Sequence, residues 1–252
     1  MFNLVGLGLN HIEQIKKNAL IQEILHESEE CYIDIYTNTI DSQTLTILRA
    51  LNVKTADREF VESFKILENA KNKNISLLVS GDPLFATTHN ILLIECKKRD
   101  IQFRVVNNLS IYLVAISLSG LNTYKFGRTI TLTKPEIKVS ENSDDLLKYL
   151  KSTLEFLMIN YNNNLHTLIL IDPNMELKDV ISIYSIMKEK NKELPEKLLI
   201  MSRLLNEDQY IEYQNYNNFD DKKIKKPFCI ILPSKCLHFV EKEFLDTFYK
   251  ML

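Results

Sequence analysis

Strand-length apolar runs alternate with helix-period segments through the first 120 residues, and that alternation leaves few folds open. Residues 2–9, 31–36, 53–56, 77–79 and 103–106 read as strands. After the first strand, Ile12, Ile15, Leu20, Ile21, Ile24 and Leu25 recur at helical spacing and mark one helix with a buried face. Further helices are expected over SQTLTILRALN, over 59–70 behind a capping Asp57, through Ile91 to Cys96, and over 109–119. Repeated strand–helix units imply an α/β fold with a mainly parallel sheet covered on both faces. After Tyr124 the pattern loosens. GRTITLTKP reads as a strand, and the charged, Ser-rich 135–142 stretch as a hinge between domains. Helices are then expected at 144–158, 175–190 and 236–252, with strands at 166–172, over KLLIMSRLL and at 225–233. QYIEYQNY is another strand or part of a hairpin. The expected architecture is therefore two α/β domains, 1–127 and 128–252.

Glycine sharpens this outline. The chain has five, where an average chain of this length has roughly eighteen. They are Gly6, Gly8, Gly81, Gly120 and Gly127, confined to three stretches of the first half. A chain this poor in glycine keeps it where the backbone needs a positive φ or a close approach. One site assembled from three loops is the expected result. LLVSGDPLFATTH, residues 77–89, lies at its centre: a buried strand, a polar turn, then a helix start for which Thr87 and Thr88 offer capping hydroxyls. In α/β proteins such strand ends are where small ligands sit. Strand-Gly-Asp-Pro is also ordinary turn chemistry, so both readings of Asp82 stand at this point.

Composition excludes several classes. The net charge of −2 gives no basic footprint for nucleic acid. No apolar run reaches the length of a membrane span. The first residues enter a strand pattern with no basic region ahead of it, so no signal peptide is expected. Cys31, Cys96, Cys229 and Cys236 lack CxxC or zinc-finger spacing and read as reduced, mostly buried residues of a cytosolic protein. There is no HExxH, GxSxG or Walker motif, and no metal site is expected.

Taken in order, GLGLN at 6–10, YTN at 36–38, ADRE at 56–59, GDPLFATTH at 81–89, NNLSI at 107–111 and GLNTYKFGRTI at 120–130 resemble the diphthine synthase family of tetrapyrrole-methylase-like methyltransferases. The likeness is close over the first 130 residues and loose thereafter. It implies S-adenosylmethionine as cofactor, lying in a cleft between two domains. It also implies the modified histidine of translation elongation factor 2 as acceptor, a homodimer and a cytoplasmic location. The histidine carries a 3-amino-3-carboxypropyl group, and eukaryotic relatives add four methyls to it where archaeal relatives add three. The richness in Asn, Lys and Ile suggests an AT-rich genome and a compact eukaryote, which would favour the tetramethylated methyl ester.

The resemblance places cofactor contacts at Leu9, Asp82, Phe85, Ser110 and Ile111, and from the second domain at Ile171, Leu204 and Phe228. Each has a structural alternative: core packing for Leu9, Ile171, Leu204 and Phe228, turn chemistry for Asp82, a helix cap for Ser110. Phe85, Asn107 and Phe228 depart from the family's usual residues. His89 is either structural or a positioning group. Arg58, Glu59 and Arg128 either meet the acceptor protein or are salt-bridged or solvated charges, while His11, His26 and His238 carry no signal. No side chain is assigned as a general base. Two other readings remain: a superfamily relative acting on a tetrapyrrole or an RNA base, and a non-catalytic protein that binds elongation factor 2.

Overall fold

The structure, a computed structural model, describes residues 1–37, 39–135 and 143–249. Packing divides the chain into two compact units, Met1–Ile111 and Tyr112–Leu252. The division falls ahead of the 127/128 boundary expected from sequence. The expected 135–142 hinge lies, Pro135 apart, outside the described residues, as does Asn38 of the YTN stretch.

In the first unit, β1 (Phe2–Gly6), β2 (Glu30–Asp34), β3 (Lys54–Ala56), β4 (Ile75–Val79) and β5 (Phe103–Val106) form one parallel sheet in the order β3-β2-β4-β1-β5. β1 and β4 are buried at every position, as expected of central strands covered on both faces. Alternation along each strand separates two cores. Phe2, Leu4, Ile75, Leu77 and Val79 face one, together with Leu92 and Cys96 of α5 (Asn90–Lys98). Val5, Ile33 and Leu78 face the other, with Ile15 of α1 (His11–Lys17), Ile21 and Ile24 of α2 (Ala19–Glu27) and Leu48 of α3 (Ser42–Ala50).

Two helix expectations need correction. The helix read across Ile12 to Leu25 is two, α1 and α2, because the Asn18 side chain accepts from the N–H groups of Leu20 (3.1 Å) and Ile21 (3.3 Å) and starts a new helix. The helix expected over 59–70 is α4 (Arg58–Glu62) followed by a 3₁₀ turn, Lys65–Leu67. Phe64 between them takes a left-handed φ of 62°, and its ring packs on the core beside buried Ile66 and Leu67.

The second unit contains α6 (Ile111–Leu118), apart from its first residue, and a mixed sheet in the order β6-β7-β10-β8-β9. Its strands are β6 (Ile130–Leu132), β7 (Thr167–Ile171), β8 (Lys197–Ser202), β9 (Tyr210–Asn215) and β10 (Phe228–Leu232). Only β6 and β7 are parallel; QYIEYQNY forms β9, a strand paired antiparallel with β8 as in a hairpin. α7 (Ser143–Asn162) and α8 (Leu177–Lys190) supply Leu150, Leu157, Val180 and Ile183 to its core, and α9 (Phe239–Phe248) closes the unit.

A buried polar network ties the α9 end of this unit. Glu241 accepts from the Asn122 and His238 N–H groups, from His166 Nε2 at 3.0 Å and from Lys125 Nζ at 3.2 Å. The Ser234 N–H donates to His166 Nδ1, which assigns the ring proton to Nε2. Lys125 also donates to Ser234 Oγ and the Cys236 carbonyl. His238 caps α9 rather than lying within it.

Burial pushes the Glu241 carboxyl up, but these four donors outweigh it and hold it at about 2, below the ordinary 4.5. Burial lowers His166, against Glu241, which raises it. Both groups bind protons more weakly folded than unfolded, so stability is full above about pH 6.5 and is lost as pH falls, through His166 first and then Glu241. Urea denaturation between about pH 7 and pH 3 should show a loss of about 2–3 kcal/mol from Glu241. Glu241→Gln should flatten that acid limb and cost about 3 kcal/mol at neutral pH.

Candidate functional site

The strand order creates the site. From β1 the chain crosses to β2 on one side of the sheet; from β4 it crosses over β1 to β5 on the other. The loops leaving β1 and β4 therefore diverge and leave a crevice at their carboxyl ends. GLGLN and GDPLFATTH are those two loops. They are locked together by a reciprocal pair: Gly8 N–H donates to the Gly81 carbonyl at 3.1 Å and Gly81 N–H to the Gly8 carbonyl at 2.8 Å. Gly8 and Gly81 have φ of +60° and +75°, a region open to glycine at little cost.

The loop after β5 joins them through Asn108. Its Nδ2 donates to the Gly6 carbonyl (3.0 Å) and to Gln14 Oε1 (3.1 Å). Asp82 closes the arrangement. Oδ1 accepts from the Leu84 N–H (2.9 Å), and Oδ2 from Asn107 Nδ2 (2.9 Å) and the Asn108 N–H (3.4 Å). The turn reading of Asp82 is thus realised: the carboxylate organises its own loop and fastens it to the next.

Leu9, Asp82, Phe85 and Ser110 on these loops, and Ile111 at the start of α6, are all half-buried. Ser110 Cα lies beside Gly81, about where a side chain there would reach. In the second unit Ile171 is half-buried at the end of β7, whereas Leu204 and Phe228 are buried and Phe228 belongs to the core. Leu204 sits between two residues with left-handed backbones, Arg203 (φ 53°) and Leu205 (φ 65°). Ala86 in the GDPLFATTH loop is also left-handed, with φ 55°. Such conformations in non-glycine residues persist where the surroundings enforce them, and they gather at ligand sites.

Of the three glycine stretches, the structure joins Gly6, Gly8, Gly81 and the 107–110 loop. Gly120 and Gly127 have other work in the second unit, lying against the Phe244 ring and the Asn160 side chain. Thr87 is not a helix cap: its hydroxyl donates to the Pro83 carbonyl at 2.8 Å, and α5 begins behind His89 with no side-chain cap. Arg58 and Glu59 pair with Glu62 and Lys65, as a salt-bridge reading expects, while Arg128 lies 3.6 Å over the Phe156 ring.

Sequence reasoning passed over three groups. His11 is buried, with Nε2 2.8 Å from Ser80 Oγ at the crevice. Asn108 was quoted within NNLSI without a role. Asp34 closes β2 beneath His89, at 3.4 Å. Asn and Asp at strand ends were the available signal for the last two; nothing in the sequence singled out His11.

The polar set here is a carboxylate, a serine hydroxyl and backbone groups at parallel strand ends, flanked by Leu9, Phe85 and Ile111. It suits a cofactor carrying hydroxyls and an amine on an apolar-edged body. No helix among the described residues is long and apolar enough to cross a membrane.

Comparison with known proteins agrees with this geometry. The model of the tetrapyrrole (corrin/porphyrin) methylases matches residues 2–209. A diphthine synthase of Staphylothermus marinus is 38% identical over 193 residues, covering 73% of this chain and 67% of that protein. A diphthine methyl ester synthase of Dictyostelium discoideum is 27% identical, over 97% of each chain. A crystal structure of a diphthine synthase superposes with a TM-score of 0.80 at 24% identity, covering 99% of this chain and 96% of that one, a likeness of fold.

Gly8→Ala should destabilise the protein by about 1–3 kcal/mol, since a Cβ there meets a left-handed backbone and stands 2.8 Å from Asn108 Oδ1. Thermal denaturation measures it; an unchanged melting temperature would contradict the loop lock.

Proposed function

The chain belongs to the tetrapyrrole methylases, in their diphthine synthase family, and we propose that it transfers methyl groups from S-adenosylmethionine to the 3-amino-3-carboxypropyl-histidine of translation elongation factor 2. It is a methyltransferase of diphthamide biosynthesis. The observation that carries the finer reading is the three-loop crevice at the switch point of the parallel sheet, built from the residues that match the family's motifs.

When bound, the cofactor supplies an electrophilic methyl group on a sulfonium. The chain's part is to hold, orient and exclude water, since in-line displacement depends on alignment more than on acid or base. In this reading Asp82 and Ser110 offer polar contacts to the cofactor, while Leu9, Phe85 and Ile111 line it. Asp82 serves twice, because its loop contacts hold it in place for the cofactor. The acceptor amine must lose its proton before attack, and burial beside a sulfonium depresses its pKa. The Asn-, Lys- and Ile-rich composition, which suggests a eukaryotic source, supports the tetramethylated methyl ester as product, and family likeness supports a cytoplasmic homodimer as the working protein.

Incubation with S-adenosylmethionine and elongation factor 2 bearing the unmethylated adduct should raise the mass of that peptide by four methyl units, one of them base-labile. A shift of three stable units would replace the ester product with the trimethyl one. No shift, with cofactor bound and acceptor folded, would overturn the assignment. Asp82→Ala should weaken S-adenosylmethionine binding by about tenfold; calorimetry showing equal affinity would remove Asp82 from the site.

A further inference from the structure

Both ring nitrogens of His89 face hydrogen-bond acceptors. Nδ1 lies 3.1 Å from the Pro83 carbonyl oxygen, and Nε2 lies 3.4 Å from Asp34 Oδ2. The side chains of both residues are wholly buried, and Nε2 makes no hydrogen bond elsewhere. A neutral imidazole carries one N–H. The Pro83 oxygen and the Asp34 carboxylate can both only accept, so a single N–H on either nitrogen leaves the other lone pair facing an acceptor. Two buried acceptors in that position repel one another unless a proton lies between them.

Asp34 is not free to turn away. Oδ1 accepts from the Tyr36 and Thr37 N–H groups at 2.8 and 3.2 Å, and Oδ2 from the Thr37 hydroxyl. The other titratable group facing the ring is Tyr36, edge-on at 5.9 Å; beyond it the Arg58 guanidinium lies over the tyrosine ring and pairs with Glu62. Burial holds the His89 imidazole below its ordinary pKa, against the Asp34 carboxylate and the Pro83 carbonyl, which raise it. A separated imidazolium is thus disfavoured, and the proton belongs to the pair rather than to either member.

We propose that Asp34 and His89 hold one proton between Oδ2 and Nε2, and that this proton makes His89 a positioning residue for the 82–86 turn in cofactor binding. The link runs through the Pro83 carbonyl, which accepts from His89 Nδ1 and from the Thr87 hydroxyl. That turn carries Asp82, Phe85 and the left-handed Ala86. When the proton leaves to solvent, the carboxylate repels Nε2, the ring shifts, and the Pro83 bond is lost. The held turn is therefore present below the pair's pKa and lost as pH rises through it. This rests on the cofactor reading of the turn given above.

The test joins nuclear magnetic resonance of the unliganded protein to S-adenosylmethionine affinity against pH. At about pH 5 the His89 nitrogen and Asp34 carboxyl shifts should show a proton held by the pair, as an imidazolium or a carboxylic acid. A singly protonated ring beside an ionised carboxylate overturns the proposal. Wild-type affinity should weaken about tenfold as the pH rises from about 5 to about 7.5, because His89 loses its proton below the ordinary imidazole value. Asp34→Asn should match wild type at the lower pH and stay flat, because an Asn amide N–H donates to Nε2 of a neutral ring. His89→Phe, checked for folding by its melting temperature, should bind about tenfold more weakly at both ends. A flat wild-type profile, or an Asp34→Asn profile that tracks wild type, overturns the positioning role. A shared proton in a protein that binds no S-adenosylmethionine upholds the pair and overturns the cofactor reading.

Discussion

The reciprocal hydrogen bonds between Gly8 and Gly81 are the constraint on which the first unit's crevice depends. They form an antiparallel bridge just beyond the parallel pairing of β1 and β4, where the two loops would otherwise part. Parallel strands at the centre of a sheet end with their carbonyls and N–H groups unspent. Here the two loops satisfy each other, and Asn108 takes the Gly6 carbonyl from the side. Nothing larger than glycine fits at Gly6, where a Cβ would stand 2.7 Å from the Gly81 oxygen. The loops are thus held by backbone contact, and the side chains beyond them are left to meet a ligand.

The second unit uses polar burial differently. Lys125, His166 and Glu241 lie in a network in which each donor has an acceptor, and its helix-capping and ion-pairing roles are structural. YKFG, one of the more specific family signatures in the sequence, owes its lysine to this network rather than to a visible ligand position. The contrast with His89 is instructive. His166 has one acceptor and one donor at its two nitrogens and is satisfied as a neutral ring; His89 has two acceptors and is not.

Much of the fold was legible because the first unit's central strands, β1, β2 and β4, are buried on both faces. Their apolar runs stand out from the amphipathic helices between them, so strand existence and order in the chain could be read directly. Boundaries were less legible. Asn18 splitting α1 from α2 and Phe64 ending α4 are decided by single side chains, one capping and one packing, against an unbroken periodic pattern. The candidate site was legible as loops: GLGLN, GDPLFATTH and NNLSI are where the crevice forms. Its internal wiring was not, since Asp82, Asn107 and Asn108 meet across about 25 positions of sequence and Asn108 reaches Gly6 across 102.

By itself the sequence determined the alternation of strands and helices, the clustering of glycine at strand ends and the family signature, because each is a local property of residue type and spacing. Tertiary structure alone decided which glycines share a site. Gly120 and Gly127 look like the others in sequence, but they make room for Phe244 and Asn160. It also decided that Leu204 and Phe228 are buried and that His11 meets Ser80. The reason is the same throughout: burial and hydrogen-bond partners are set by contacts between residues far apart in the chain, and only a particular strand order brings those residues together.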